Sequence, residues 1–146
     1  MDQYLPDKEL VFGVVSGRVS TAINRRLYRS FRANNISLTP EQWMVLQYLS
    51  YKDGITQQEL ARITFKDKPG ITRMLTIMER EILISRLSDD SDKRSNRILI
   101  TRHGLDLQQQ ARIYVLQTMQ DALKGLSEEE IRIGEKILKK IFCNLE

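Results

Sequence analysis

The sequence predicts a mainly α-helical fold: a three-helix core closed by a β-hairpin wing, with further long helices before and after it. Three observations predict it. Apolar residues recur at helical spacing over many turns near both ends of the 146-residue chain. One helix-start pattern, a hydroxyl residue followed three positions later by Gln or Glu, stands at Thr39, Thr56 and Ser127. Between Thr56 and Thr101, a short capped helix, a turn and a longer amphipathic helix run into two apolar, β-compatible segments around a charged loop.

The first helix runs from about Asp7 to Ala33, with Val11, Val15, Val19, Ala22, Ile23, Leu27 and Phe31 at helical spacing, and Asn34–Asn35 can stop it. It is long for so small a chain, as expected if part of its apolar surface packs on a second copy. Arg18, Arg25, Arg29 and Arg32 share one face, read as solvated. A compact start follows: Thr39 caps, Pro40 takes the first helical position, Gln42 completes a capping box, and Leu38 and Trp43 fall at staple positions. Val45, Leu46 and Leu49 continue that helix until Asp53–Gly54. The device repeats with Thr56 as cap, Glu59 closing the box and Ile55 stapled to Leu60, in a helix ending near Ile63.

Asp67 caps the next helix, about Lys68 to Leu83, whose Ile71, Leu75, Met78 and Ile82 are expected inside. Opposite them lie Pro69, Thr72, Arg73, Thr76 and Arg80, a small, hydroxylated and cationic face that no bulky apolar residue obstructs. Arginine can pair bidentately with guanine, and threonine can bond a phosphate or base or touch a thymine methyl. Lys68, Thr72 and Arg73, near the helix start, are candidates for base edges or nearby phosphates, with Lys66 just outside. Leu83–Leu87 and Arg97–Thr101 are then read as strands joined by SDDSDKRSN, a loop too charged to pack inside. Its Lys93 and Arg94, and Arg97 at the start of the return strand, are placed for a narrow minor groove, with Asp92 close enough in sequence to orient Arg94 or Arg97.

Thr101 caps a helix from Arg102 to about Lys124, carrying Leu105, Ala111, Tyr114, Val115, Met119 and Ala122. His103, the only histidine, reads as a surface residue. Ser127 and Glu130 form a third capping box, and Ile131, Gly134, Leu138, Ile141 and Leu145 make an apolar stripe. With the first helix, this last one is expected to join two protomers about a two-fold axis.

Composition agrees with this organisation. Hydrophobic residues at 41% and charged residues at 29% suit one globular protomer. The net charge of +4 is concentrated in the middle: residues 62–102 hold 10 basic and 6 acidic side chains, while the flanks nearly balance. No apolar run reaches the roughly 20 residues a membrane span needs, and MDQYLPDKEL lacks a secretory pattern. The single Cys143 allows no disulfide framework, so a cytoplasmic location is expected. A glycine-rich phosphate loop, a nucleophile–base pair and metal-ligand spacing are all absent from the sequence, so neither an enzyme nor a cofactor is expected.

The order of elements, the D-x-R pattern at Asp92-Lys93-Arg94, and the strand ending Ile100-Thr101 with Gly104 three residues on resemble the MarR family of winged helix-turn-helix transcription regulators. The resemblance spans nearly the whole chain and divides the single protomer, 1–146. Residues 36–101 are the DNA-binding region, and 1–35 and 102–146 are dimerisation helices. It implies a homodimer, and a repressor, on a pseudo-palindromic operator of double-stranded DNA. The recognition-helix set is Lys66, Lys68, Pro69, Thr72, Arg73 and Thr76, and the wing set is Asp92, Lys93, Arg94 and Arg97. Pro69–Gly70 stands where the family more often has small hydroxyl residues. A small aromatic or amphipathic effector would bind between dimerising helices and winged region, where Phe12, Tyr28, Trp43 and Tyr114 are candidates, each equally explained as core. Peroxide-sensing relatives use a cysteine in the first helix, and Val11 to Arg32 contains none; Cys143 reads as a small buried or interfacial residue. The alternative is a winged-helix module for protein–protein docking without specific DNA binding.

Overall fold

The computed structural model describes residues 7–89 and 92–146, with the side chains of 89–95 excepted. The chain order is α1 (Lys8–Ala33), α2 (Pro40–Tyr51), β1 (Ile55–Thr56), α3 (Gln57–Ile63), α4 (Lys68–Arg80), β2 (Ile84–Asp89), β3 (Asp92–Ile100), α5 (Arg102–Ala122) and α6 (Glu128–Leu145). This is the mainly α, winged helix-turn-helix architecture that the sequence predicts. The strands form an antiparallel sheet in the order β1-β3-β2.

Most of the helix starts follow the capping chemistry read from the sequence. Thr39 and Gln42 form a reciprocal capping box at α2, and Ser127 and Glu130 form another at α6. The Ser127 backbone N–H and hydroxyl hold the Glu130 carboxyl below the usual carboxylate range. At α3 the Thr56 hydroxyl accepts from the Glu59 backbone N–H. The return bond that would close this box is not made among the described residues. Asp67 accepts from the Gly70 N–H at 2.7 Å, and a Cβ on Gly70 would stand only 2.7 Å from the same carboxylate oxygen. The missing side chain at Gly70 therefore lets the cap seat closely.

The core gathers in the middle of the chain. Leu27 and Phe31 at the end of α1 meet Leu46 and Leu49 of α2, Leu60 of α3, Ile71, Leu75 and Met78 of α4, Ile98 of β3 and Ala111 of α5. Gly104 is the tightest point. A Cβ there would lie 2.1 Å from the Leu83 carbonyl oxygen, so only glycine lets α5 begin against the end of the recognition segment. Thr101 completes that joint: its N–H and hydroxyl donate to the Leu83 and Ile82 carbonyls, and its hydroxyl accepts from the Gly104 N–H.

Three expectations need correction. The recognition helix ends at Arg80 rather than near Leu83, because the Ile82 and Leu83 N–H groups fold back onto the Glu79 and Met78 carbonyls. That closure puts Ile82 at φ 60° and leaves it 66% exposed, not inside with Ile71, Leu75 and Met78. Secondly, Ile55–Thr56 is also a strand, pairing Ile55 with Ile98 and Thr56 with Arg97; two residues are too few to show a period. Thirdly, the hairpin ladder is longer than read, continuing past Leu87↔Arg97 to Asp89↔Asp92 through a register shift at Ser88/Asp89.

Candidate nucleic-acid interface

The outward face of α4 is held from both sides. From α3, the Gln57 Nε2 donates to the Thr72 hydroxyl at 2.8 Å. From β2, the Arg86 Nη2 donates to the Thr76 hydroxyl at 3.2 Å. Arg86 Nε also lies 3.8 Å from the Glu79 carboxylate, an ion-pair distance too long for a hydrogen bond. Thr72 and Thr76 in turn donate to the carbonyls of Lys68 and Thr72, one helical turn back. The helix and its hairpin are thus cross-linked by polar contacts on the face that the core does not use.

The remaining residues of the set differ in freedom. Lys68, Pro69 and Arg73 are exposed on α4, and neither cation has an ion-pair partner among the described residues. Lys66 is different: its ammonium sits 2.8 Å from the Glu41 carboxylate, with the side chain only 25% exposed. Arg97 turns back, its Nη1 donating to the Gly54 carbonyl at 3.0 Å, which ties β3 to the turn before β1. Asp92, Lys93 and Arg94 lie on β3 beside the hairpin tip, and their side chains fall outside the described residues.

Arg86 and Gln57 were not singled out from the sequence. Arg86 carried a signal, since alternate strand residues share a face and Ile84, two positions before it, is buried. Gln57 carried none, because nothing local says that the first residue of α3 lies beside Thr72.

The four effector-crevice candidates do not converge. Trp43 is buried, its Nε1 donating to the Gln108 carbonyl at 3.1 Å, and Tyr114 packs on the same core. Tyr28 is exposed beneath the Arg32 guanidinium, 5.8 Å from ring centroid to Cζ. Phe12 lines a separate apolar slot of about 770 Å³ between α1 and α6, with Val15, Val19, Ile23, Ile137 and Leu138. Cys143 is exposed in the protomer. No cluster of His, Cys, Asp or Glu that could hold a metal exists among the described residues. No helix among them is long and apolar enough to cross a membrane.

A cross-braced, cationic helix beside a hairpin, mounted on a three-helix core, defines a winged helix-turn-helix protein. Residues 38–95 match the model of the MarR family. It is similar to a mutant MarR from E. coli solved in complex with operator DNA: 25% identity over 94% of this chain and 97% of that one, TM-score 0.84. Wild-type E. coli MarR in its apo form gives 26% identity, 88% and 95% coverage, and a TM-score of 0.72. AbsC, a MarR family transcriptional regulator from Streptomyces coelicolor, gives 23%, 98% and 97%, and 0.84.

Proposed function

We propose that the protein is a cytoplasmic, homodimeric transcriptional regulator that binds a pseudo-palindromic duplex DNA and acts as a repressor. The observation that carries this reading is the braced outer face of α4, where Lys68 and Arg73 are exposed without carboxylate partners among the described residues. Arg73 supplies the bidentate donor for a guanine edge, and Lys68 a phosphate contact. Arg94 of the hairpin is assigned to the minor groove, with Asp92 as its brace. Lys66, already paired to Glu41, contributes less to phosphate binding than Lys68. The relative crystallised with operator DNA supports the choice of partner, and the backbone of this chain superposes better on that mutant complex than on the wild-type apo form.

Residues 36–101 form the reading unit, and the flanking helices 1–35 and 102–146 pair two copies. The support is the uncovered apolar surface: α6 has no buried residue, while Ile133, Ile137, Leu138, Phe142 and Leu145 are exposed, facing or flanking the slot along α1. A patch of this kind is unusual on a monomer. Two readers related by a two-fold axis then meet half-sites centred about 10 base pairs apart. A small amphipathic effector that alters the spacing of the two readers completes the proposal. Enzymatic activity has no place in it.

Selection of bound sequences from a random duplex pool tests this directly. The expected result is an inverted repeat with guanine in each half-site, bound by a dimer in light scattering. A pool that shows no enrichment would overturn it in favour of a protein-docking module.

A further inference from the structure

We propose that Thr72 reads DNA through its methyl group, against the C5-methyl of a thymine in the major groove, while its hydroxyl serves as an internal strut positioned by Gln57. This rests on the proposed DNA-binding function and sharpens the specificity of the same face.

The constraint is the hydrogen-bonding capacity of a hydroxyl, which has one proton and two lone pairs. The Thr72 proton is committed to the Lys68 carbonyl oxygen at 2.8 Å. One lone pair takes the Gln57 amide N–H at 2.8 Å. Thr76 is committed in the same way, to the Thr72 carbonyl at 2.8 Å and the Arg86 guanidinium at 3.2 Å. Neither threonine has a proton left for an acceptor on the DNA. Phosphate oxygens, guanine O6 and N7, thymine O4 and adenine N7 are all acceptors, so every one of them is excluded unless an internal bond breaks. The lone pair left on Thr72 could serve only an amino donor of adenine or cytosine; towards thymine, what Thr72 offers is its methyl, and thymine is the base with a methyl in the major groove. Gln57 is therefore a positioning residue: it fixes the rotamer that turns the hydroxyl inward.

The test uses the duplex selected from the random pool, with each thymine of the half-site replaced in turn by deoxyuridine, which removes only the methyl. Affinity is measured for the parent, Thr72→Ser and Thr72→Val. One thymine per half-site should be sensitive in the parent, its replacement weakening binding about fourfold per half-site, the value of one buried methyl-sized group. Thr72→Ser keeps the hydroxyl and should bind the thymine and deoxyuridine duplexes equally. Thr72→Val keeps the methyls and should retain the parent's ratio, even where loss of the Gln57 bond lowers overall affinity. A parent indifferent to every replacement overturns the proposal, as does a thymine preference kept by Thr72→Ser or lost in Thr72→Val. Absence of any selected duplex overturns the proposed function itself, a distinct result.

Discussion

The reading unit and the helices that flank it are built on opposite principles. Around α4 most apolar side chains are consumed: Ile71, Leu75, Met78, Leu60, Ile84 and Ile98 are buried within one protomer, while Ile77, Phe65 and Ile82 stay exposed. Even the polar outer face is cross-braced by Gln57 and Arg86. Along α6, by contrast, nothing is buried, and the apolar stripe of Ile137 and Leu138 faces a slot against Phe12 and Val19. The two regions touch where the Phe142 ring stands edge-on to Phe65 of the α3–α4 turn with centroids 4.8 Å apart. The reader's core is closed within one protomer with the help of Leu27 and Phe31 of α1 and Ala111 of α5, whereas in the proposed dimer the face of the α6 arm is half of an interface. A protein that recognises a twofold-symmetric duplex benefits from both, since rigid readers fix each half-site and the shared arms set their separation.

The largest expected effect comes from breaking the arms alone. Ile137→Asp with Leu138→Asp should leave the far-UV circular dichroism of the reader intact. It should give a monomer in light scattering and cost at least about 100-fold in affinity for a two-half-site duplex, because the second contact is no longer intramolecular. A dimer that survives both charges would contradict the division.

Next is a break inside the reader. Gly104→Ala places a methyl against the Leu83 carbonyl and should destabilise the protein by about 3 kcal/mol in urea unfolding, as backbone must shift to admit it. A loss within experimental error would mean that the joint between α5 and Leu83 is looser than described.

A smaller change runs in the opposite direction. Three helix ends among the described residues are closed by a left-handed residue other than glycine: Asn35, Phe65 and Ile82. Asparagine accepts that conformation readily, whereas a β-branched side chain does not. Ile82 is also 66% exposed, so little packing is lost on its removal. Ile82→Gly should raise stability by about 1 kcal/mol, read as a higher thermal midpoint. No gain would show that Ile82 is covered in the assembled protein.

These same sites show what could be read from the chain. Caps at Thr39, Asp67, Thr101 and Ser127 were legible because capping depends on residues three positions apart. The buried stripe of α4 was legible up to Met78, where helical periodicity still holds. It misled at Ile82, since period alone does not reveal that the chain has already turned. For the site, exposure of Lys68 and Arg73 followed from the helix face. The pairing of Lys66 with Glu41 and the bracing by Gln57 and Arg86 bring together residues distant in sequence. Such long-range polar contacts leave no local pattern.

The most direct measurement is a salt titration of duplex binding by the parent and Arg73→Ala, on the selected sequence and on a random one. For the parent, log affinity should fall steeply with log salt, with a clear preference for the selected duplex. Arg73→Ala should lose about 1–3 kcal/mol on the selected duplex and most of that preference. Equal binding of both duplexes by both proteins, at any salt, would contradict the assignment of α4 as the reader.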